Sequence, residues 1–172
     1  MEERDIMTFR MVHPNASTDS RVTDTAFETN DQIGLFLTEK NVPLEVSGNY
    51  VNNASLSFMD DEWVPEKTIY WNEGEYDAYA YFPYTSPVSS VDDMPFSVSL
   101  DQSVPENYEA SDFLWAGKKG LAASDGDVNL QFSHRMSRLV VKLVKGEDYE
   151  GDLPEEAEVL VHNTVPSSTI DL

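Results

Sequence analysis

The residues of this chain that could do chemistry are its histidines, serines and carboxylates, because it contains no cysteine. The absence of Cys excludes disulfides, thiolate metal sites and a cysteine nucleophile. His13, His134 and His162 stand far apart in unrelated contexts, and none belongs to an H-x-x-x-H pair that could bind zinc. We interpret them as isolated histidines and expect the His134 ring to bond a backbone carbonyl. The sequence therefore predicts no metal ion and no cofactor.

Hydrolytic chemistry has little support in the sequence. No G-x-S-x-G motif accompanies the many serines, which argues against a serine hydrolase. A glycosidase would need two carboxylates roughly 5–9.5 Å apart. With 32 Asp and Glu in the chain, chance pairs are plentiful, so a solvated acidic surface is the better interpretation. We predict that the protein is not an enzyme and keep an acidic glycosidase only as a remote alternative.

Charge and composition exclude several further classes. The chain has 172 residues and a formal net charge of -21, whereas a nucleic-acid surface needs clustered basic residues. No apolar run approaches the ~20 residues of a membrane-spanning helix. Hydrophobic residues make up 40% of the chain and aromatic residues 11%, which predicts one domain with a real core.

The elements that position these side chains have the periodicity of strands. Short runs in which apolar and polar residues mix or alternate recur with turn signals every 8–12 residues, a pattern typical of an antiparallel β-sandwich. The runs are Ile6–Val12, Ile33–Leu37, Tyr50–Met59, Thr68–Trp71, Tyr76–Tyr84, Phe96–Leu100, Val128–Phe132, Leu139–Leu143 and Val159–Val161.

Two local structures follow from this pattern. The turn cluster at 72–75, which contains Gly74, predicts a hairpin between Thr68–Trp71 and Tyr76–Tyr84. A short helix is expected within Glu106–Trp115, directly after Pro105. The fold class is therefore all-β, with at most one short helix.

The aromatic run at 76–84 is the most unusual local feature. Alternation in a strand sends Tyr79 and Tyr81 to the face opposite Tyr76 and Tyr84. One face is expected to pack the core. The other could stack on sugars, which leaves open the alternative of a surface carbohydrate-binding module that uses exposed aromatic residues.

Four blocks of sequence, taken together and in this order, resemble the fimbrillin-like proteins of Bacteroidetes. They are T-A-F-E with D-Q-I-G-L-F in 25–36, Y-A-Y-F-P-Y in 79–84, D-Q-S with Y-E-A-S-D-F-L-W-A in 101–116, and L-Q-F-S-H-R-M-S-R-L in 130–139. The resemblance implies a structural pilus or cell-adhesion subunit at the bacterial surface, exported as a lipoprotein to the outer membrane. It further implies a transthyretin-like β-sandwich whose partners are other pilus subunits and, for an adhesin, surface receptors.

The resemblance also implies assembly by strand exchange. An arginine-specific protease removes the first strand, and a strand of another subunit fills the vacated groove. Carried over by position, the removable strand is Ile6 to Val12, with Ile6, Thr8, Phe9 and Val12 as its candidate residues, and the candidate cut sites are Arg21 and Arg10. Residues 1–24 are then the strand and its polar tether, 25–165 the N-terminal sandwich domain, and 166–172 the start of a linker to a C-terminal domain.

Overall fold

A computed structural model of the chain describes residues 5–14 and 26–172. Its strands are β1 (Phe9–Val12), β2 (Gln32–Glu39), β3 (Val51–Met59), β4 (Glu62–Pro65), β5 (Tyr76–Phe82), β6 (Met94–Ser97), β7 (Leu114–Leu121), β8 (Val128–Gln131), β9 (Ser133–His134) and β10 (Ser167–Ile170). One helix, α1 (Pro105–Glu109), and a 3₁₀ turn (Ala123–Asp125) complete the regular structure of these residues. The all-β sandwich class and the single short helix are confirmed.

The main sheet has six antiparallel strands in the order β4-β3-β2-β5-β7-β9. Two smaller pairs accompany it: β1 with β8, which is parallel, and β6 with β10, which is antiparallel. β10 lies within the segment 166–172 that the sequence assigns to a linker. The division into domains stays a prediction.

Both faces of the main sheet are covered, which explains why β2 is apolar along nearly its whole length. Ile33, Leu35 and Leu37 lie in the larger hydrophobic cluster, together with side chains of β1 and β8. Phe36 points to the opposite face and lies in a second cluster with Tyr81, Val91, Met94 and Phe113. Alternation in β2 therefore supplies two cores at once.

The predicted hairpin is wrong. β5 pairs with β2 on one side and with β7 on the other, and residues 68–71 form no strand with it. Instead Tyr70 forms an isolated antiparallel bridge with Ile6. The turn at Gly74, with φ of 105°, is present as expected, but the chain that precedes it pairs with the N-terminus.

The helix forms one turn at the start of the predicted range, whereas two other predicted strands are not formed. Helix α1 ends at Glu109, and Leu114 and Trp115 begin β7. The predictions of strands at Leu139–Leu143 and Val159–Val161 are wrong. Both runs lie outside the strands of the structure, and their side chains are exposed. Apolar alternation alone does not make a strand where no neighbouring strand offers backbone partners.

Candidate functional site: the N-terminal segment

Residues 5–13, called here the N-terminal segment, are bonded to two parts of the chain that are far apart in sequence. In its first half, the Met7 N–H donates to the Ile69 carbonyl and the Trp71 N–H to the Asp5 carbonyl, each at 2.8 Å. Its second half forms β1, which runs parallel to β8 with Phe9 opposite Val128 and Val12 opposite Gln131. The segment therefore connects residues 69–71 with β8, and both are far from it in sequence.

Side chains of the segment alternate between the core and solvent. Met7, Phe9, Met11 and His13 are each at least nine-tenths buried, and the first three belong to the larger hydrophobic cluster. Ile6 is 57% exposed, and Thr8 and Arg10 are also exposed. The segment thus inserts a row of side chains with the period of a strand.

Of the four residues predicted for a removable strand, only Phe9 is buried. Ile6 and Thr8 face outward, and Val12 is half-buried. The sequence prediction missed Met7 and Met11, although the alternation M-T-F-R-M was available to find them. Thr8 holds the segment in another way, because its hydroxyl donates a short hydrogen bond to the Asp127 carboxylate.

The buried row makes a sizeable favourable contribution to folding. Complete burial of a Met or Phe side chain is worth about 1.5–3 kcal/mol, so three of them contribute at most roughly 5–9 kcal/mol. The net stability of an ordinary domain is about 5–15 kcal/mol. Loss of the segment would therefore expose apolar side chains of the larger cluster.

The segment ends at His13, which lies near a second histidine, His134. The His13 ring is 5.1 Å from the Phe27 ring and 6.1 Å from the His134 ring, all between centroids. His134 Nδ1 is 2.7 Å from a carboxylate oxygen of Asp112, so this ring bonds a side chain, where the sequence predicted a backbone carbonyl. Histidines that are isolated in sequence are thus neighbours in space. Among residues 5–14 and 26–172, no cluster of three metal-ligating side chains is found.

The two candidate cut sites differ in what the structure says of them. Arg10 lies within β1, opposite Asn129, with its side chain in solvent. A protease must take its substrate as a free extended strand, and the backbone around Arg10 is already paired. Arg21 lies outside the described residues.

The aromatic run at 76–84 serves packing more than recognition. Tyr81 is completely buried, and its hydroxyl donates to Asn53 Oδ1 at 2.7 Å. Burial raises the pKa of the Tyr81 phenol from 10.0 to about 12, and burial also raises the pKa of the Tyr76 phenol. Tyr79 and Tyr84 are half-buried. Tyr81 is therefore not available to stack on a sugar, which removes one residue on which the carbohydrate-binding alternative depended.

An open hollow of about 310 Å³ lies where the loop before β2 meets α1 and the end of β5. It carries the carboxylates of Asp31, Glu106 and Glu109 beside the Tyr84 ring. Asp31 is engaged in a turn, since its carboxylate accepts the Glu28 N–H at 2.7 Å. The hollow is consistent with the acidic surface expected from composition.

Comparison with known proteins fits this architecture. A family model described as fimbrillin-like matches residues 20–172. The chain belongs to the fimbrillin-like family. This fimbrillin-like chain is similar to a fimbrial protein from Bacteroides ovatus ATCC 8483 whose crystal structure is known. The two chains share 25% sequence identity with a TM-score of 0.57, and the match covers 79% of this chain and 30% of that one.

A second solved structure shows the same fold. It is a candidate cell adhesion protein from Bacteroides uniformis ATCC 8492, with 19% identity and a TM-score of 0.53, matched over 77% of this chain and 47% of that one. The fimbrillin-like chain thus spans less than half the length of these two proteins. No curated protein matches it significantly. Within the described residues, no helix is long and apolar enough to cross a membrane.

Proposed function

We propose that this fimbrillin-like chain is part of a pilus or cell-adhesion subunit at the bacterial surface and that it assembles by strand exchange. Removal of the N-terminal segment opens an apolar groove, and a strand from a neighbouring subunit fills it. The family match and the likeness to a fimbrial protein support the subunit role. The observation that carries the mechanism is the row Met7, Phe9 and Met11, buried in the core yet held by β8 and residues 69–71.

The geometry suits exchange for a physical reason. Backbone hydrogen bonds and alternating apolar side chains are what any incoming strand can supply, so the groove selects for a pattern more than for one sequence. In the segment, outward residues such as Thr8 and Arg10 contribute little to filling the core. A donor strand therefore needs apolar residues at every second position and tolerates polar residues between them.

Cleavage that frees the segment is assigned to Arg21 in preference to Arg10. A cut at Arg10 would divide the buried row, leaving Met11 on the body and Met7 and Phe9 on the fragment. A cut at Arg21 releases the whole row as one strand. Export as a lipoprotein to the outer membrane and contact with surface receptors are parts of the same proposal and rest on family resemblance.

The test is limited digestion of the chain with an arginine-specific protease, followed by intact mass. The cleaved protein is then incubated with a fluorescent peptide of residues 5–13. Binding of the peptide, with recovery of the melting temperature that cleavage lowers, is the expected result. The matched control peptide carries Ser in place of Met7, Phe9 and Met11 and should not bind, whereas a peptide with Ser at Thr8 and Arg10 should bind normally.

Two variants assign the cut. Arg21→Gln should block release of the segment, and Arg10→Gln should leave it unchanged. If the segment leaves without any change in melting temperature, or if the control peptide binds as well as the native one, the strand-exchange mechanism is wrong.

A further inference from the structure

Two exposed segments near the C-terminus carry nine of the nineteen large apolar side chains that the described residues leave in solvent. The basic segment comprises residues 138–145 (R-L-V-V-K-L-V-K), and the acidic segment residues 153–161 (L-P-E-E-A-E-V-L-V). Eight of their Leu and Val side chains are between 50% and 72% exposed: Leu139, Val140, Val141, Leu143, Val144, Val159, Leu160 and Val161. Contiguous exposed apolar residues of this kind mark surfaces that bind another protein or another part of the same chain.

The charges of the two segments are complementary. The basic segment contains Arg138 and two lysines and no acid, in a chain whose net charge is -21. The acidic segment contains Glu155, Glu156 and Glu158 and no base. Opposite charges placed across a strand pair stabilise it, and both segments are rich in the β-branched and aliphatic residues that strands favour.

The turn that would join them is already formed. The Tyr149 N–H donates to the Gly146 carbonyl at 3.1 Å, and the Tyr149 hydroxyl donates to the Asp152 carbonyl at 3.0 Å. Lys145 Nζ lies 3.3 Å from Asp152 Oδ1, which brings the end of the basic segment beside the residue that precedes the acidic one. The other end of the basic segment is tied to the body, with the Arg138 guanidinium 5.7 Å from the centre of the Tyr108 ring.

The Lys145–Asp152 contact also gives a register. Counting back along one segment and forward along the other puts Val144 opposite Leu153, Lys142 opposite Glu155 and Val140 opposite Ala157. On the face that carries these pairs, Val140 and Val144 face apolar residues and Lys142 faces an acid. On the other face, Leu139 and Val141 lie opposite Glu158 and Glu156. Pro154 falls near the start of the second strand of a pair with free outer edges, where a missing N–H is tolerated.

We propose that the basic and acidic segments close into an antiparallel β-hairpin across the 146–152 turn. A two-stranded hairpin in water is marginally stable, so the closed form exchanges with the open arrangement seen in the structure. The short tether makes pairing within one chain more favourable than pairing between two copies, which also repel each other through their net charge. Closure places Val140, Val144, Leu153 and Val159 on one face, with the Lys142–Glu155 pair between them. Both outer edges of the hairpin are then free to pair with a further strand.

Disulfide trapping tests the proposal cleanly, because the chain has no cysteine of its own. The pair Val140→Cys with Ala157→Cys lies in register, and Val140→Cys with Val159→Cys is the matched control displaced by two residues. Since a disulfide needs closely opposed Cβ atoms, the first pair should oxidise about tenfold faster and give an intramolecular product. In the variant that carries Val140→Cys and Ala157→Cys, the further change Lys142→Glu should slow disulfide formation. Adding Glu155→Lys to that variant should restore the original rate.

Each outcome decides the question. Equal oxidation rates for the two pairs, or a rate that ignores the charge reversals, would overturn the hairpin. Disulfide-linked dimers as the main product would overturn it in favour of an interface between copies. The reduced variants must melt at the temperature of the parent chain, which is expected because the substituted residues lie outside both hydrophobic clusters.

Discussion

Gly34 lies directly opposite Tyr81 in the antiparallel pair of β2 and β5, and the Tyr81 ring occupies the space that a side chain at position 34 would fill. A Cβ built on Gly34 would be 2.2 Å from Tyr81 Cε1. The ring lies across the bare backbone, stacks with Phe113 at 5.9 Å between centroids and reaches Asn53 with its hydroxyl. One glycine thus allows the second core to form around a tyrosine.

Gly34→Ala should be strongly destabilising. The added methyl group forces the Tyr81 ring away from Phe113 and Asn53, and overpacking of this kind costs about 1–3 kcal/mol before the lost hydrogen bond is counted. Chemical denaturation should show a lower midpoint with an unchanged slope. Gly146→Ala is the control, because a Cβ there meets nothing within 4 Å. Equal stability of Gly34→Ala and the parent would mean that Tyr81 can move freely.

The raised pKa of Tyr81 predicts a loss of stability at alkaline pH. Folding raises this pKa from 10.0 to about 12, mainly because burial penalises the phenolate. The folded protein therefore keeps its proton at a pH where the unfolded chain releases it, so the contribution is fully present below pH 10 and is lost as pH rises towards about 12.

Tyr81→Phe isolates that effect. At neutral pH the variant should lose about 1–2 kcal/mol, because Asn53 Oδ1 loses its donor. Between pH 10 and 12 the free energy of unfolding should fall less steeply in the variant than in the parent, as measured by denaturant titration at each pH. Tyr70→Phe removes a more exposed hydroxyl and should leave the slope unchanged. Parallel curves for parent and Tyr81→Phe would contradict the assignment.

Asp77 should be a structural carboxylate. It is buried in β5, and its two oxygens accept the Asn41 N–H at 3.1 Å and the Gly120 N–H at 2.9 Å. Asn41 and Gly120 both have positive φ, so one side chain fixes two left-handed turns. Asp77→Ala removes the acceptor of both backbone N–H groups and should cost roughly 1–3 kcal/mol. Asp92→Ala, at an exposed site, should have the melting temperature of the parent, and a similarly small effect at Asp77 would refute this role.

The three longest predicted strands of the main sheet, β2, β3 and β5, could be read from the sequence because they carry apolar runs or clean alternation, and so could β8 outside that sheet. β7 could not, since its centre reads G-K-K-G and has low strand propensity. Its conformation is imposed by pairing with β5, from Tyr76–Leu121 to Phe82–Leu114. Tertiary pairing overrode local preference there.

A strand near the N-terminus was predicted, but not which of its residues point inward. Resemblance located the N-terminal strand, whereas its inward residues depend on which face the core covers. The alternation M-T-F-R-M indicated that face, but the apolar Ile6 and Val12 at even positions obscured it. Nor could sequence foresee that Tyr81 is buried, since the second core is built from Val91, Met94 and Phe113, which lie in loops and a short strand.

Inward and outward residues of the N-terminal segment should differ sharply in the intact chain. Met11→Ala creates a cavity in the larger cluster and should cost about 2–4 kcal/mol. Arg10→Ala changes an exposed side chain next to it and should stay within about 0.5 kcal/mol. Denaturant midpoints of the two variants measure the difference. Similar midpoints would mean that the segment does not pack as a strand of the core.

Hydrogen exchange should show where the segment's removal is felt. The Val128 N–H donates to the Thr8 carbonyl at 2.8 Å and the Phe132 N–H to the Val12 carbonyl at 3.0 Å, so both amides lose their acceptors when the segment leaves. Amides that pair β2 with β5 keep theirs. In the cleaved and separated protein, we expect fast exchange at Val128 and Phe132, slow exchange in β2, and renewed protection when the peptide of residues 5–13 is added. Uniform loss of protection would show that the domain unfolds without the segment, and a groove open to a neighbouring subunit's strand would then not exist.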